Sequence, residues 1–133
     1  MMNLKGVAHF CIPVSDVNRS VKFYEDVVGC KKIGGDERQC FMDAGGMCLI
    51  LCHEPEPINK ENTGDLVHHA FMISEEQYKQ VPAHLAKHGV EVLYEEDRRT
   101  GTVNGPRTYF RDPDGTRLEF IYLTEYNRTP KKR

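Results

Sequence analysis

The sequence predicts an α+β chain built from two βαβββ modules. Three observations predict it. The order strand, helix, strands occurs twice along the chain. The two halves also match in register. His9, Phe10, Ile12, Val14 and Ser15 fall on His68, His69, Phe71, Ile73 and Ser74 at an offset of 59, and Phe41, Asp43, Gly46 and Leu49 fall on Phe110, Asp112, Gly115 and Leu118 at an offset of 69. Finally, 133 residues hold two modules of about 60 residues within one domain. The offset grows by ten, and the loop before Pro106 is the natural place for the extra residues.

The first module spans about 5–53 and the second about 67–126, with a polar linker at about 54–66 and a basic tail at 127–133. Val7 to Val14 alternates as a strand, with Val7, His9, Cys11 and Pro13 on one face and Ala8, Phe10, Ile12 and Val14 on the other. A helix follows, starting near Asn18 to Ser20. Its apolar stripe is Val21, Tyr24 or Phe23, and Val27 or Val28, and Gly29 ends it. Short strands are expected at Lys31 to Ile33, Gln39 to Asp43 and Met47 to Cys52, with turns at Gly34-Gly35 and Gly45-Gly46. The second module opens with a strand from Val67 to Ile73. Ser74 and Gln77 form a capping pair for a helix that reaches His88 and stops at Gly89. Pro82 inside it predicts a kink or a late start. Strands are then expected at Val90 to Tyr94, Arg107 to Arg111 and Arg117 to Thr124, with a charged loop from Glu95 to Pro106.

Composition narrows the function classes. Eighteen Lys plus Arg against 20 Asp plus Glu give a formal charge of -2, which argues against a bulk nucleic-acid binder. The tail residues Lys131, Lys132 and Arg133 read as a solvated end. No apolar run approaches the roughly 20 residues of a membrane span, and the first residues lack signal-peptide character. The five cysteines, Cys11, Cys30, Cys40, Cys48 and Cys52, form no Cys-x-x-Cys and read as mostly buried free thiols in a reducing cytoplasm.

Three residues at matching or mid-strand positions carry the chemistry. His9 and His68 hold equivalent places, and Glu119 is a carboxylate between Leu118 and Phe120 in the last strand. If the open sheet faces meet at one cleft, two imidazoles and a carboxylate suit a divalent Zn, Mn, Fe, Ni or Co. The same three residues also fit the plainer reading of satisfied polar groups in strands. His69 alternates onto the face of Phe71 and Ile73 and is read as a packed histidine. Ile50 occupies the first module's equivalent of Glu119 and cannot bind a metal. Arg107 and Tyr109 share one face of their strand, as an anion-binding pair or as residues of an exposed edge strand. Arg128 is a second anion-clamp candidate. Cys11 shares the face of His9 and is a catalytic candidate alongside Tyr109, although a nucleophilic role needs a nearby base. Asp112-Pro113-Asp114-Gly115 reads as a structural turn. Arg98-Arg99 with Gly101, Asn104 and Gly105 reads as a flexible basic loop, a lid or phosphate contact or equally a solvated hairpin, with Asn104-Gly105 a turn signal. His53, His84 and His88 show no ligand geometry.

Three segments carry a family resemblance. They are Val7-Ala8-His9-Phe10 leading into Ser20-Val21-Lys22-Phe23-Tyr24-Glu25-Asp26-Val27-Val28-Gly29, then His68-His69-Ala70-Phe71, and finally Tyr109-Phe110-Arg111-Asp112-Pro113-Asp114-Gly115-Thr116-Arg117-Leu118-Glu119. From Lys5 to Tyr126 the chain resembles a single-unit member of the vicinal oxygen chelate superfamily, the glyoxalase, bleomycin-resistance and extradiol-dioxygenase group. The resemblance implies a metal held by His9, His68 and Glu119. Glyoxalase I adds a glutamate where this chain has Ile50, which argues against lactoylglutathione lyase. The three-ligand set is similar to that of fosfomycin-modifying thiol transferases and ring-cleaving dioxygenases. In the former, a threonine assists chemistry where Cys11 stands, and Tyr109 and Arg128 fall at substrate-binding positions. Residues 95–106 lack that group's serine-rich, potassium-binding pattern, which argues against antibiotic resistance as the activity. The resemblance also implies a homodimer whose cup-shaped mixed sheets are completed by pairing. Each site would then take His9 from one subunit and His68 with Glu119 from the other.

The leading expectation is a divalent-metal enzyme, a lyase, isomerase or thiol transferase, in which the metal polarises adjacent oxygens of a small polar or anionic substrate. The alternatives are an Fe(II) extradiol dioxygenase cleaving a catechol-like substrate, and a non-enzymatic drug-binding protein.

Overall fold

The computed structural model describes residues 1–57 and 66–128. Residues 58–65 of the expected linker, and residues 129–133 of the expected tail with Lys131, Lys132 and Arg133, lie outside the described residues. The chain divides into two compact units. One holds Met1–Leu66 with Asp112–Thr116, and the other holds Val67–Arg111 with Arg117–Arg133. The turn at 112–116 therefore belongs to the first unit, although its sequence lies in the second module. Among the described residues, no helix is long and apolar enough to cross a membrane.

The first unit begins with β1 (His9–Val14) and α1 (Val17–Phe23), which runs into one π-helical turn at Tyr24–Val28. It continues with β2 (Lys31–Gly35), β3 (Gln39–Ala44) and β4 (Met47–His53). The sheet order is β1-β4-β3-β2, with β1 parallel to β4. Ile12 and Val14 are fully buried while His9 and Cys11 are exposed, as the alternation predicts. Asp16 caps α1 through the Arg19 N–H. Tyr24, not Phe23, fills the core. Gly29, at φ 95°, takes the left-handed conformation that closes the π turn. The turn expected at Gly34-Gly35 is instead part of β2. A register shift between Lys32 and Gly34 absorbs one residue, and a Cβ on Gly35 would collide with the Gln39 carbonyl oxygen.

The segment Asp112–Thr116 is fastened to this unit by side chains. Tyr24 donates its hydroxyl to Asp112 Oδ2 at 2.8 Å, and Asp112 Oδ1 accepts the N–H groups of Asp114 and Thr116, each at 2.9 Å. Asp114 takes hydrogen bonds from Ser15 and Arg19. Burial pushes the Asp112 carboxyl up, against the lowering effect of these bonds. Burial, reinforced by Asp112, also pushes the Tyr24 phenol well above its ordinary value.

The second unit contains β5 (His68–Met72), α2 (Glu75–Lys87), β6 (Tyr94–Arg98), β7 (Val103–Arg111), β8 (Arg117–Ile121) and β9 (Glu125–Tyr126). The sheet order is β5-β8-β7-β6, with β9 paired to the start of β7. Phe110 and Phe120 pack at 4.9 Å between ring centroids, and Val81 and Leu85 of α2 are buried. The Ser74–Gln77 capping box forms, and α2 runs through Pro82 with neither a late start nor an early end. Its C-terminus is closed by Gly89 N–H to Ala86 O and Val90 N–H to Leu85 O, a Schellman pair. This is why the strand expected at Val90 starts only at Tyr94: Val90 finishes the helix. The charged loop expected at 95–106 is largely a hairpin, because Tyr94–Arg98 pairs with Gly105–Tyr109 as an edge strand. Charge on an edge is how sheets discourage further pairing. Asn104-Gly105 is not a turn. Asn104 is buried in β7, and its side chain bonds both the N–H and the C=O of Gly101. Gly105, at φ +131°, leaves room for the Tyr122 carbonyl, where the strand expected to reach Thr124 breaks after Ile121 and resumes as β9.

The two sheets share a register. His9 lies opposite Cys48 as His68 lies opposite Arg117, and Cys11 opposite Ile50 as Ala70 opposite Glu119. Across the next strand, Phe41 faces Ile50 as Tyr109 faces Glu119. Phe41 therefore corresponds to Tyr109 and not to Phe110, because the second hairpin turn is one residue longer.

All five cysteines are free, with Cys30 and Cys40 buried, Cys48 and Cys52 half-buried, and Cys11 exposed on the open face of β1. Burial, with Asp43 nearby, raises the Cys30 thiol to about 11. At pH 8, iodoacetamide should alkylate Cys11 first and Cys30 at least about 100-fold more slowly than in the unfolded chain, as read by peptide mass mapping. Tyr24→Phe should lower stability by about 1–3 kcal/mol in urea denaturation, since it leaves a buried carboxyl oxygen without its donor.

Candidate active site

Alternation and register put the following side chains, among others, on one face of the second unit's sheet. They are His68 from β5, Arg117 and Glu119 from β8, Arg107 and Tyr109 from β7, and Tyr94 and Glu96 from β6. Glu119 lies at the centre and is 2% exposed. Its Oε1 is 3.1 Å from His68 Nε2, and its Oε2 is 3.8 Å from Arg107 Nη1. A carboxylate so buried requires partners, and the register supplies one on each side.

Arg107 and Tyr109 do not lie on an edge strand. β7 is flanked by β6 and β8, and each residue is 4% exposed. Tyr109 donates its hydroxyl to Glu96 Oε1 at 2.8 Å. Burial first, then this bond and the charge of Glu119, pushes its phenol well above the ordinary value. Tyr109 is thus placed as a hydrogen-bond donor to Glu96. Arg117 stacks its guanidinium over the Tyr109 and Tyr94 rings, 4.2 and 5.0 Å from their centroids, and donates to the Tyr94 hydroxyl. The two tyrosine rings stack at 4.3 Å, and His68 meets Tyr109 edge-on at 5.9 Å.

His69 points to the opposite face, as alternation requires. It is half-buried, and burial lowers its pKa, helped by neighbouring His68. On that same face the Tyr78 hydroxyl of α2 meets Thr108 Oγ1 at 3.0 Å.

The remaining candidates lie elsewhere. His9 and Cys11 belong to the first unit, on the exposed face of β1 that also carries Cys48, Ile50 and Cys52 of β4. The Cys11 side chain hydrogen-bonds Cys52, whose thiol is raised chiefly by burial. Arg128 follows β9 with its guanidinium 5.0 Å from the Tyr126 ring centroid. Within each unit, among the described residues, no three His, Cys, Asp or Glu side chains converge as a metal set. Tyr94, Glu96 and Arg117 escaped the sequence reading. The Tyr-x-Glu-x-Arg alternation of residues 94–98 and the i−2 position of Arg117 before Glu119 were the signals that place them on this face.

A family model described as Glyoxalase/Bleomycin resistance protein/Dioxygenase superfamily matches residues 6–120. The chain is 29% identical over 119 residues to the metallothiol transferase FosB of Lysinibacillus sphaericus, covering 90% of this chain and 83% of that protein. It is 32% identical over 116 residues to the metallothiol transferase FosB of Shouchella clausii, covering 87% and 79%. Among solved structures it is similar in fold to the fosfomycin resistance protein FosX from Listeria monocytogenes, in complex with Mn(II) and sulfate, with TM-score 0.74, 21% identity, and coverage of 92% and 93%. The chain belongs to the glyoxalase/bleomycin resistance protein/dioxygenase superfamily, an enzyme-rich family.

Proposed function

We propose that this chain is a divalent-metal enzyme that transfers a small thiol to a small anionic electrophile. The observation that carries this reading is the His68 Nε2–Glu119 Oε1 pair at 3.1 Å on a polar sheet face, with Glu119 buried and His68 reaching solvent. An imidazole nitrogen beside a carboxylate oxygen is a donor set that borderline divalent cations take, Zn, Mn, Ni, Co and Fe among them. His9 is the proposed third ligand. It is contributed by a second copy of the chain, so that a homodimer completes both the cup-shaped sheets and the site. Five free thiols fit a reducing, cytoplasmic setting.

A cation held there supplies Lewis-acid stabilisation of negative charge on a substrate oxygen. The chain's own residues do the rest. Tyr109 offers a phenol that donates to substrate by exchanging its bond to Glu96. Arg128 supplies a cation for an anionic group. Cys11, exposed and two residues from His9, lines the entrance and orients the incoming nucleophile. The curated relatives' name, metallothiol transferase, supports thiol transfer over ring cleavage. Ile50 at the place equivalent to Glu119 leaves the first unit without a matching carboxylate.

His68→Ala should strip the metal from purified protein, whereas His69→Ala should mainly lower thermal stability. Metal loss in the second variant and not the first, by elemental analysis, would reverse the assignment. Protein dialysed against EDTA should consume no L-cysteine with a small anionic epoxide such as glycidol phosphate, and should regain thiol consumption on adding Mn(II). Iron as the native metal, with oxygen uptake on catechols and no thiol consumption, would replace thiol transfer with ring cleavage.

A further inference from the structure

We infer that Arg107 is a positioning residue for Glu119, holding Oε2 so that Oε1, beside His68, is the oxygen offered to a cation. This rests on the metal reading above. Three observations carry it. The Arg107 side chain is 5% exposed, enclosed within the sheet beside Glu119. Its donors are engaged within its own strand: Nη2 donates to the Val103 carbonyl at 2.6 Å, and Nε and Nη2 each donate to the Gly105 carbonyl at 3.3 Å. Its remaining nitrogen, Nη1, stands 3.8 Å from Glu119 Oε2, while Nε stands 4.0 Å from Glu96 Oε1.

The guanidinium thus bridges two carboxylates while its own backbone fixes its plane. Only a planar fork with several donors does this, and a lysine has one ammonium head. With Oε2 facing Arg107, rotation of the carboxylate away from His68 would separate a buried charge from its partner, a costly change. Glu119 is held ready before any cation arrives. Groups that orient a metal ligand in this way govern metal affinity more than substrate affinity.

The test is Mn(II) titration followed by the EPR signal of free Mn(II), on wild-type, R107M and R107K protein, with steady-state kinetics at saturating Mn(II). Mn(II) affinity should fall about 10- to 100-fold in R107M and at least about threefold in R107K, with KM for the anionic substrate unchanged in both. If R107M does not fold, R107K decides alone. Wild-type Mn(II) affinity in the folded variants, with a raised KM, would overturn the inference and make Arg107 a substrate clamp; wild-type affinity with unchanged KM would also overturn it. Wild-type protein that takes up no Mn(II) would overturn the metal reading itself, and this inference with it.

Discussion

The candidate site depends on one constraint: a carboxylate buried in the middle of a sheet. Glu119 is 2% exposed in β8, between β5 and β7. An ionised carboxylate in such a place costs several kcal/mol unless it is matched. The neighbouring strands provide the match, His68 from one side and Arg107 from the other. Much of the remaining polar face follows from that placement. Glu96 lies beside Arg107 and accepts the Tyr109 hydrogen bond, Tyr109 stacks on Tyr94, and Arg117 lies over both rings. Removing Glu119 would leave Arg107 as a buried cation close to Glu96 alone.

The first unit shows what the same frame does without that constraint. Its strands pair in the same register, but Ile50 stands where Glu119 does, Phe41 where Tyr109 does, and Cys48 where Arg117 does. An apolar residue at the central position needs no ionic partners, and the surrounding face carries thiols, a proline, a phenylalanine, Gln39 and Asp43. His9 stands at the place of His68. The same strand pairing occurs twice, with a buried carboxylate at the central position of the second unit's sheet and isoleucine at that position in the first.

How much of this could be read beforehand depended on periodicity. The alternation in β1 placed His9 and Cys11 opposite Ile12 and Val14, and the repeat placed His68 rather than His69 beside Glu119; both follow from the pleat alone. The capping box at Ser74 and the stop at Gly89 were also legible, since helix ends are chemically marked. The polar edge strand Tyr94–Arg98 was not. Its charges protect the edge, and so remove the hydrophobic signal that reveals a strand. The enclosure of Arg107 and Tyr109 was illegible for the same reason, because they lie inside the sheet only if β6 covers them. Nor could sequence spacing reveal that Asp112 and Asp114, in the second half, would be fastened to Tyr24, Ser15 and Arg19 of the first.

The proposed metal site is built by two copies of the chain. Mixing two metal-free variants, His9→Ala and Glu119→Gln, under conditions that exchange subunits tests it most directly, with bound Mn(II) as the readout. A shared site predicts that the mixture recovers up to about a quarter of wild-type Mn(II) binding, because half the dimers are hybrid and each rebuilds one intact site. No recovery, in variants shown to exchange subunits, would contradict it and place all the ligands within one chain.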